Sequence, residues 1–229
     1  DVYKRQYIWY PEADDYGQPR LFAKSINATA GTDEEVVFTA NYTGWWLITV
    51  KCISGSGQFK FVGGEVASLG IYKQQISTNY PMKWYGLYID TTATSILARI
   101  YTDSGSTPGN PTIELNDYST VSLIASADNG GSGEPELLDY RSGASLGAIT
   151  VAFGTDTSEL ASTYVDVCEI VAELQATQST SISVSSGILV AVSLPTNNNG
   201  QYRVRAAGSG IDVQLEIIDS IGNTVGTSD

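Results

Sequence analysis

Residues 44–64 read GWWLITVKCISGSGQFKFVGG, and their alternation decides the fold class. In an extended chain Trp46, Ile48, Val50 and Cys52 share one face, while Trp45, Leu47, Thr49 and Lys51 share the other. A period of two is the mark of a strand, because successive side chains of a pleated chain point to opposite sides. Gly55, Ser56 and Gly57 make a small-residue loop that tolerates left-handed backbone angles, and Phe59 and Phe61 resume the alternation across Gln58 and Lys60. The stretch therefore predicts a β-hairpin with an aromatic face, with Trp46, Ile48, Val50 and Cys52 in the core.

Working outward, the same period recurs along nearly the whole chain. Upstream, 7–18 mixes aromatics, Pro11 and acids and reads as an irregular lead-in, whereas 21–30 and 35–42 alternate. Downstream, 66–75, 82–90, 95–102, 112–115, 120–126 and 145–153 read as strands, separated by the turn-rich loops 103–111 and 128–135. From 155 onward tryptophan disappears and the segments become short and small-residue: 165–174, 181–184, 188–194, 201–206 and 211–218. In the last of these, Ile211, Val213, Leu215 and Ile217 oppose Asp212, Gln214 and Glu216, the pattern of a half-buried strand. Many short strands with Gly, Ser and Asn turns and no sustained helical period predict an all-β chain: a β-sandwich of jelly-roll type over 7–154, followed by a second, smaller β-sandwich over 155–229. The opening hexapeptide DVYKRQ, residues 1–6, resembles the translation of a sequencing-library adapter and is expected to be non-native. Gly200 to Ala206, followed by a second Gly-Ser-Gly at 208–210, echoes the opening stretch, either as a duplication or as two instances of the same hairpin chemistry.

Composition removes whole classes of chemistry. The 229 residues contain no histidine, which excludes Ser-His-Asp and Cys-His nucleophile systems and any His-ligated metal. Cys52 and Cys168 cannot build a zinc site by themselves, and both lie in apolar alternating runs, so two buried free thiols are expected rather than a disulfide. A net charge of −13 argues against nucleic acid or an anionic membrane as the main partner. No run of 18 apolar residues is present, so no membrane insertion is expected.

From Phe38 to Phe153 the order of the segments resembles the jelly-roll family that includes tumour necrosis factor and the globular heads of complement-type collagens, whose members also occur in bacterial and phage fibre proteins. The resemblance is carried by Phe38 to Gly44 leading into Trp46, by Ile71-Tyr72-Lys73, by Ile113-Glu114-Leu115 with Val121-Ser122-Leu123, and by Ser142 to Phe153. It covers about half the chain; Trp46 stands where the family has tyrosine, and 78–104 has no counterpart in it. It implies a homotrimer whose axis is lined by aromatic side chains of one sheet, here Trp84, Tyr85 and Tyr88. VQLEIIDSIGNTV, 213–225, is similar to the small β-sandwiches appended to secreted bacterial hydrolases. Neither resemblance brings catalytic residues with it.

Aromatic side chains supply the recognition chemistry. Trp45 lies opposite Trp46, and 80–88 (YPMKWYGLY) puts aromatics on both faces of one strand, so Trp45, Trp84, Tyr85 and Tyr88 are the candidate ligand or interface residues. The plainer reading, that they fill a sandwich or a subunit interface, stands beside it and is preferred. Asp14 with Asp15, Asp33 to Glu35, and Glu134 with Glu136 could be posed as glycosidase pairs, but sequence spacing does not set the separation such chemistry needs, and solvated loops explain them. Calcium at Asp103 or Asp128 lacks the ordered Asp-x-Asp spacing of a calcium loop. The sequence thus reads as a non-enzymatic adhesion or display protein of a cell or virion surface, fibre- or tail-like, extracellular, without a cofactor or metal, partnered by its own copies and by a glycan or surface receptor. The competing reading is a carbohydrate-binding accessory module of a larger secreted hydrolase.

Overall fold

The computed structural model describes residues 3–26, 33–41, 44–76, 82–103, 107–157, 159–160, 162–175, 179–197, 201–208 and 210–228. The chain is all-β. It divides into two compact units, 1–60 and 61–229, whereas the sequence pattern had placed a boundary near 154.

The first unit is a three-stranded antiparallel sheet of β1 (Tyr3–Ala13), β2 (Pro19–Ser25) and β3 (Leu47–Ser54), ordered β2-β1-β3. The segment read as an irregular lead-in is thus its central strand, and residues 3–6 are part of it. Two sequence expectations change here. First, 44–64 is not a hairpin: β3 forms, but 55–64 makes no ladder, and β3 pairs instead with β1, Ile8 opposite Ile48 and Gln6 opposite Val50. The hydrogen-bonding edge that would have recruited 58–62 is filled by a strand some forty residues upstream, and Gly55, at a φ of +82°, turns the chain away. Second, the face carrying Trp46, Ile48, Val50 and Cys52 is not sandwich core. Trp46 packs edge-on to Phe22 and beside Tyr10 and Phe38 in an aromatic cluster of this small unit, and Cys52 is exposed. No strand is assigned to 35–41, and 27–30 and Tyr42 lie outside the described residues.

The sandwich of the second unit is built from two sheets, and two further two-stranded pairs follow it in the same unit. The sandwich strands are β4 (Glu65–Ala67), β5 (Ile71–Gln75), β6 (Trp84–Thr91), β7 (Ser95–Tyr101), β8 (Pro111–Asp117), β9 (Ser122–Ala127), β10 (Glu136–Arg141), β11 (Gly147–Thr155) and β12 (Tyr164–Cys168). One sheet runs β10-β7-β12-β5 and the other β4-β6-β11-β8-β9. Strict alternation builds the core between them: Leu87 and Ile89 of β6, Ile113 and Leu115 of β8, and Ile149, Val151 and Phe153 of β11 meet Ile96, Ala98 and Ile100 of β7 and Val165 and Val167 of β12. Each Val, Leu, Ile or Phe side chain among them contributes about 1.5–3 kcal/mol on leaving water. Because β12 sits between β7 and β5, the sandwich extends past 154 to Cys168.

Beyond Cys168, β13 (Ile170–Glu173) pairs in parallel with β14 (Ala191–Ser193), and β15 (Leu215–Ile218) pairs with β16 (Thr224–Ser228) as a hairpin. Residues 181–184 and 201–206 form no strand, and in 211–218 only the last four residues do.

Both cysteines are free, as expected, but only Cys168 is buried. Burial pushes its thiol up to about 12, helped by the neighbouring Asp166 and Glu169 charges. A thiol reagent at neutral pH is therefore expected to titrate Cys52 alone in the folded chain and both thiols in denaturant; two fast equivalents before unfolding would contradict the burial of Cys168.

Candidate binding surface

Strand β6, WYGLYIDT, divides its aromatics by parity. Tyr85 follows Leu87 and Ile89 inward, while Trp84, Gly86 and Tyr88 face out of the five-stranded sheet. Trp84 is opposite Gly154 in the β6–β11 ladder, and a β-carbon added at Gly154 would come within 2.5 Å of the indole. The ring therefore lies over the Gly154 backbone, possible only because that position has no side chain, and the indole remains 47% exposed. Two strand positions on, Tyr88 meets Tyr118 edge to face with ring centres 4.6 Å apart. Val66 on β4, which pairs with Tyr88, and Leu123 on β9 add exposed apolar surface. Gly86, between the two aromatics, must be glycine for a different reason: the carbonyl oxygen of Gly63 would stand 2.8 Å from its β-carbon.

Tyr85 has another task. Its ring stacks on Phe153 at 6.4 Å, and its hydroxyl accepts from Gln74 Nε2 at 2.6 Å and donates to Glu65 Oε2 at 2.9 Å. Burial raises the phenol above its ordinary value, and the Glu65 carboxylate adds to the rise. It is a packing and positioning side chain on the inner side of the sheet. Trp45, 63% exposed, belongs to the first unit. Of the four aromatics singled out in the sequence, the structure brings only Trp84 and Tyr88 to one face.

Five of the carboxylates read as glycosidase or calcium candidates, Asp14, Asp103, Asp128, Glu134 and Glu136, have partners of their own. Glu136 is fully buried, and its carboxylate accepts the backbone N–H groups of Asn129, Gly130 and Leu137, folding the loop 128–135 back on β10. Glu134 accepts from Gly131 N, Asp128 from Asn110 Nδ2, and Asp14 from the N–H groups of Tyr16 and Gln18. Asp103 pairs with Lys73 at 2.7 Å. Among the described residues no group of three or more Cys, Asp or Glu side chains is placed to hold a metal ion.

Sequence reasoning missed a buried ionic cluster on the outer face of the four-stranded sheet. Arg99 of β7, 2% exposed, donates to Gly222 O at 2.7 Å, to Glu216 Oε1 at 2.8 Å and to Thr224 Oγ1 at 2.8 Å, and stands 3.5 Å from Asp166 of β12. It clamps the β15–β16 hairpin to the sandwich. The available signal was a charge at an outward position in each of two strongly apolar strands, SILARIY and YVDVC.

No family model matches the chain, and no curated protein matches it. Among solved structures, the pre-peptidase C-terminal domain of collagenase from Bacillus anthracis is similar at 12% identity and a TM-score of 0.34, over 47% of this chain and 99% of that one. A likeness at that level assigns neither family nor activity.

Proposed function

We propose that the protein is a non-enzymatic recognition or display module of a cell or virion surface, acting through the outer face of its five-stranded sheet. The observation that carries this reading is the Trp84–Tyr88 face: a flat, partly apolar surface with a half-exposed indole fixed over glycine. Flat sheet faces with exposed aromatics suit a partner surface, whereas catalysis needs convergent acid, base or nucleophile groups. The strand order supports a jelly roll, because β5 to β8 alternate between the sheets and the orders β10-β7-β12-β5 and β6-β11-β8-β9 are those of two interlocked Greek keys. On that reading the chain assembles as a homotrimer, with Trp84 and Tyr88, not Tyr85, in the subunit contact. Light scattering on the full chain is then expected to give three copies of the 24.4 kDa chain, with Trp84→Ala shifting the population to monomer. A wild-type monomer overturns the trimer.

The second reading, a carbohydrate-binding accessory module, rests on the same indole, since a ring lying along a sheet presents its π-face to a pyranose. It requires a monomer whose binding to neutral polysaccharide disappears in Trp84→Ala.

A further inference from the structure

The sheet of the first unit has one packed face and one open face. Ile8 and Gln6 point to the packed side; Tyr7 and Trp9, between and beyond them on β1, point to the other and are half-buried. The registers lay out that open face in rows. Leu21, Trp9 and Leu47 form one, Lys24, Tyr7 and Thr49 the next, and Lys51 follows along β3. Cross-strand neighbours of this kind stand about 5 Å apart. The Tyr7 and Trp9 rings are stacked at 6.2 Å with an interplanar angle of 30°, and Trp9 Nε1 donates to Thr49 Oγ1 at 2.9 Å, which fixes the indole against β3. Leu47 is 60% exposed, and Lys24 and Lys51 are exposed with no ion-pair partner among the described residues.

Charge is divided unevenly along the chain. Residues 1–60 hold six Lys and Arg against seven Asp and Glu, while residues 61–229 hold six against eighteen. Tyr7 and Trp9 with the two unpaired ammonium groups therefore lie in the unit that is close to neutral, not in the strongly acidic one. We infer that this face binds an acidic polysaccharide, one carrying uronate or sulfate groups: the apolar face of a pyranose stacks on Tyr7 and Trp9, Leu21 and Leu47 border it, and Lys24 and Lys51 meet the anionic substituents. A single-stranded nucleic acid would also stack, but it needs a groove of cations that tracks its phosphates, and two lysines on a flat sheet do not make one. These residues belong to the first unit and Trp84 to the second, and the inference does not depend on the sandwich forming a trimer.

The test is binding of the full chain to immobilised polygalacturonate and dextran sulfate at low salt, with neutral dextran and a thymidine oligonucleotide as comparisons. Binding to at least one of the two acidic polymers, and not to dextran, is expected, weakening as salt rises. Trp9→Ala is expected to weaken it at least about tenfold, the loss of roughly one stacking contact. Because Trp9→Ala could disturb the small sheet, the double variant Lys24→Gln/Lys51→Gln, both at exposed positions, is measured alongside and is expected to show a loss of similar size with an unchanged circular dichroism spectrum. No binding to either acidic polymer, wild-type affinity in the double lysine variant, or tighter binding to the oligonucleotide overturns the inference. Loss of acidic-glycan binding in Trp84→Ala but not in Trp9→Ala also overturns it, and would place the glycan on the sandwich face in keeping with the carbohydrate reading of that surface.

Discussion

Arg99→Ala is expected to destabilise the second unit by about 3–5 kcal/mol, the usual consequence of removing one partner from a buried ion pair. The size comes less from the lost attraction than from what is left behind. Without the guanidinium, the Gly222 carbonyl and the Thr224 hydroxyl lose a donor each, and among the described residues Asp166 keeps the Lys73 N–H at 2.7 Å and the Tyr101 hydroxyl at 3.2 Å against its desolvation. The guanidinium also lies 3.9 Å from the centre of the Tyr101 ring, a cation–π contact that the variant forfeits. Urea unfolding measures the loss, and hydrogen exchange locates it: protection in β15 and β16 should fall before that of the core strands. A change below about 1 kcal/mol, with the hairpin still protected, would show that Arg99 does not hold it.

The cluster also sets an acid response. Burial pushes the Glu216 carboxyl up, but the bonds from Thr224 and Arg99 outweigh it and leave the group below its ordinary value. A depressed carboxylate contributes stability above its unfolded pKa and loses it as pH falls through the folded one. Asp166 has the opposite sign. Burial raises it in spite of the Lys73 N–H and Arg99, so its contribution is full below the unfolded pKa and declines as pH rises through the folded one. Glu216→Gln should therefore flatten the acid side of the stability profile.

Phe153→Ala is expected to cost a further 3–5 kcal/mol or so, the range for deleting a fully buried aromatic side chain. Phe153 stands on the central strand β11, opposite Tyr85 on one side and Ile113 on the other, with no exposed surface. The midpoint of thermal unfolding should fall by roughly 10 °C for a unit of this size. The damage reaches β4 and β5, because the ring that stacks on Tyr85 disappears and the Glu65–Tyr85–Gln74 bridge loses its base. Phe153→Leu, which leaves a smaller void, should lose less than half as much. Calorimetry on the two variants tests the order; equal and small shifts would mean that the site collapses freely.

The alternation in 82–90, 95–102 and 145–153 was enough to place β6, β7 and β11 and the face each buries, since a strand's inner side chains recur every second residue whatever it pairs with. The same rule failed at Cys52, Ile211 and Phe59. Their segments alternate just as clearly, but alternation states only that two faces differ, and which face is covered, or whether any is, depends on what packs there. It also left Trp84 and Tyr85 undivided until Phe153 and Gly154 supplied a ring to stack on from within and a bare backbone to lie on from without.

By itself, then, the order of residues determined the all-β class, the run of strands from 84 to 127 and the absence of imidazole chemistry, all local consequences of side-chain parity and composition. The tertiary structure decided the partner of β3, the break after Lys60, the place of β12 inside the sandwich and the use of Arg99 as a clamp. These are choices between distant segments with equally suitable edges and faces. They are settled only when backbone hydrogen bonds and buried charges across the whole unit are satisfied together.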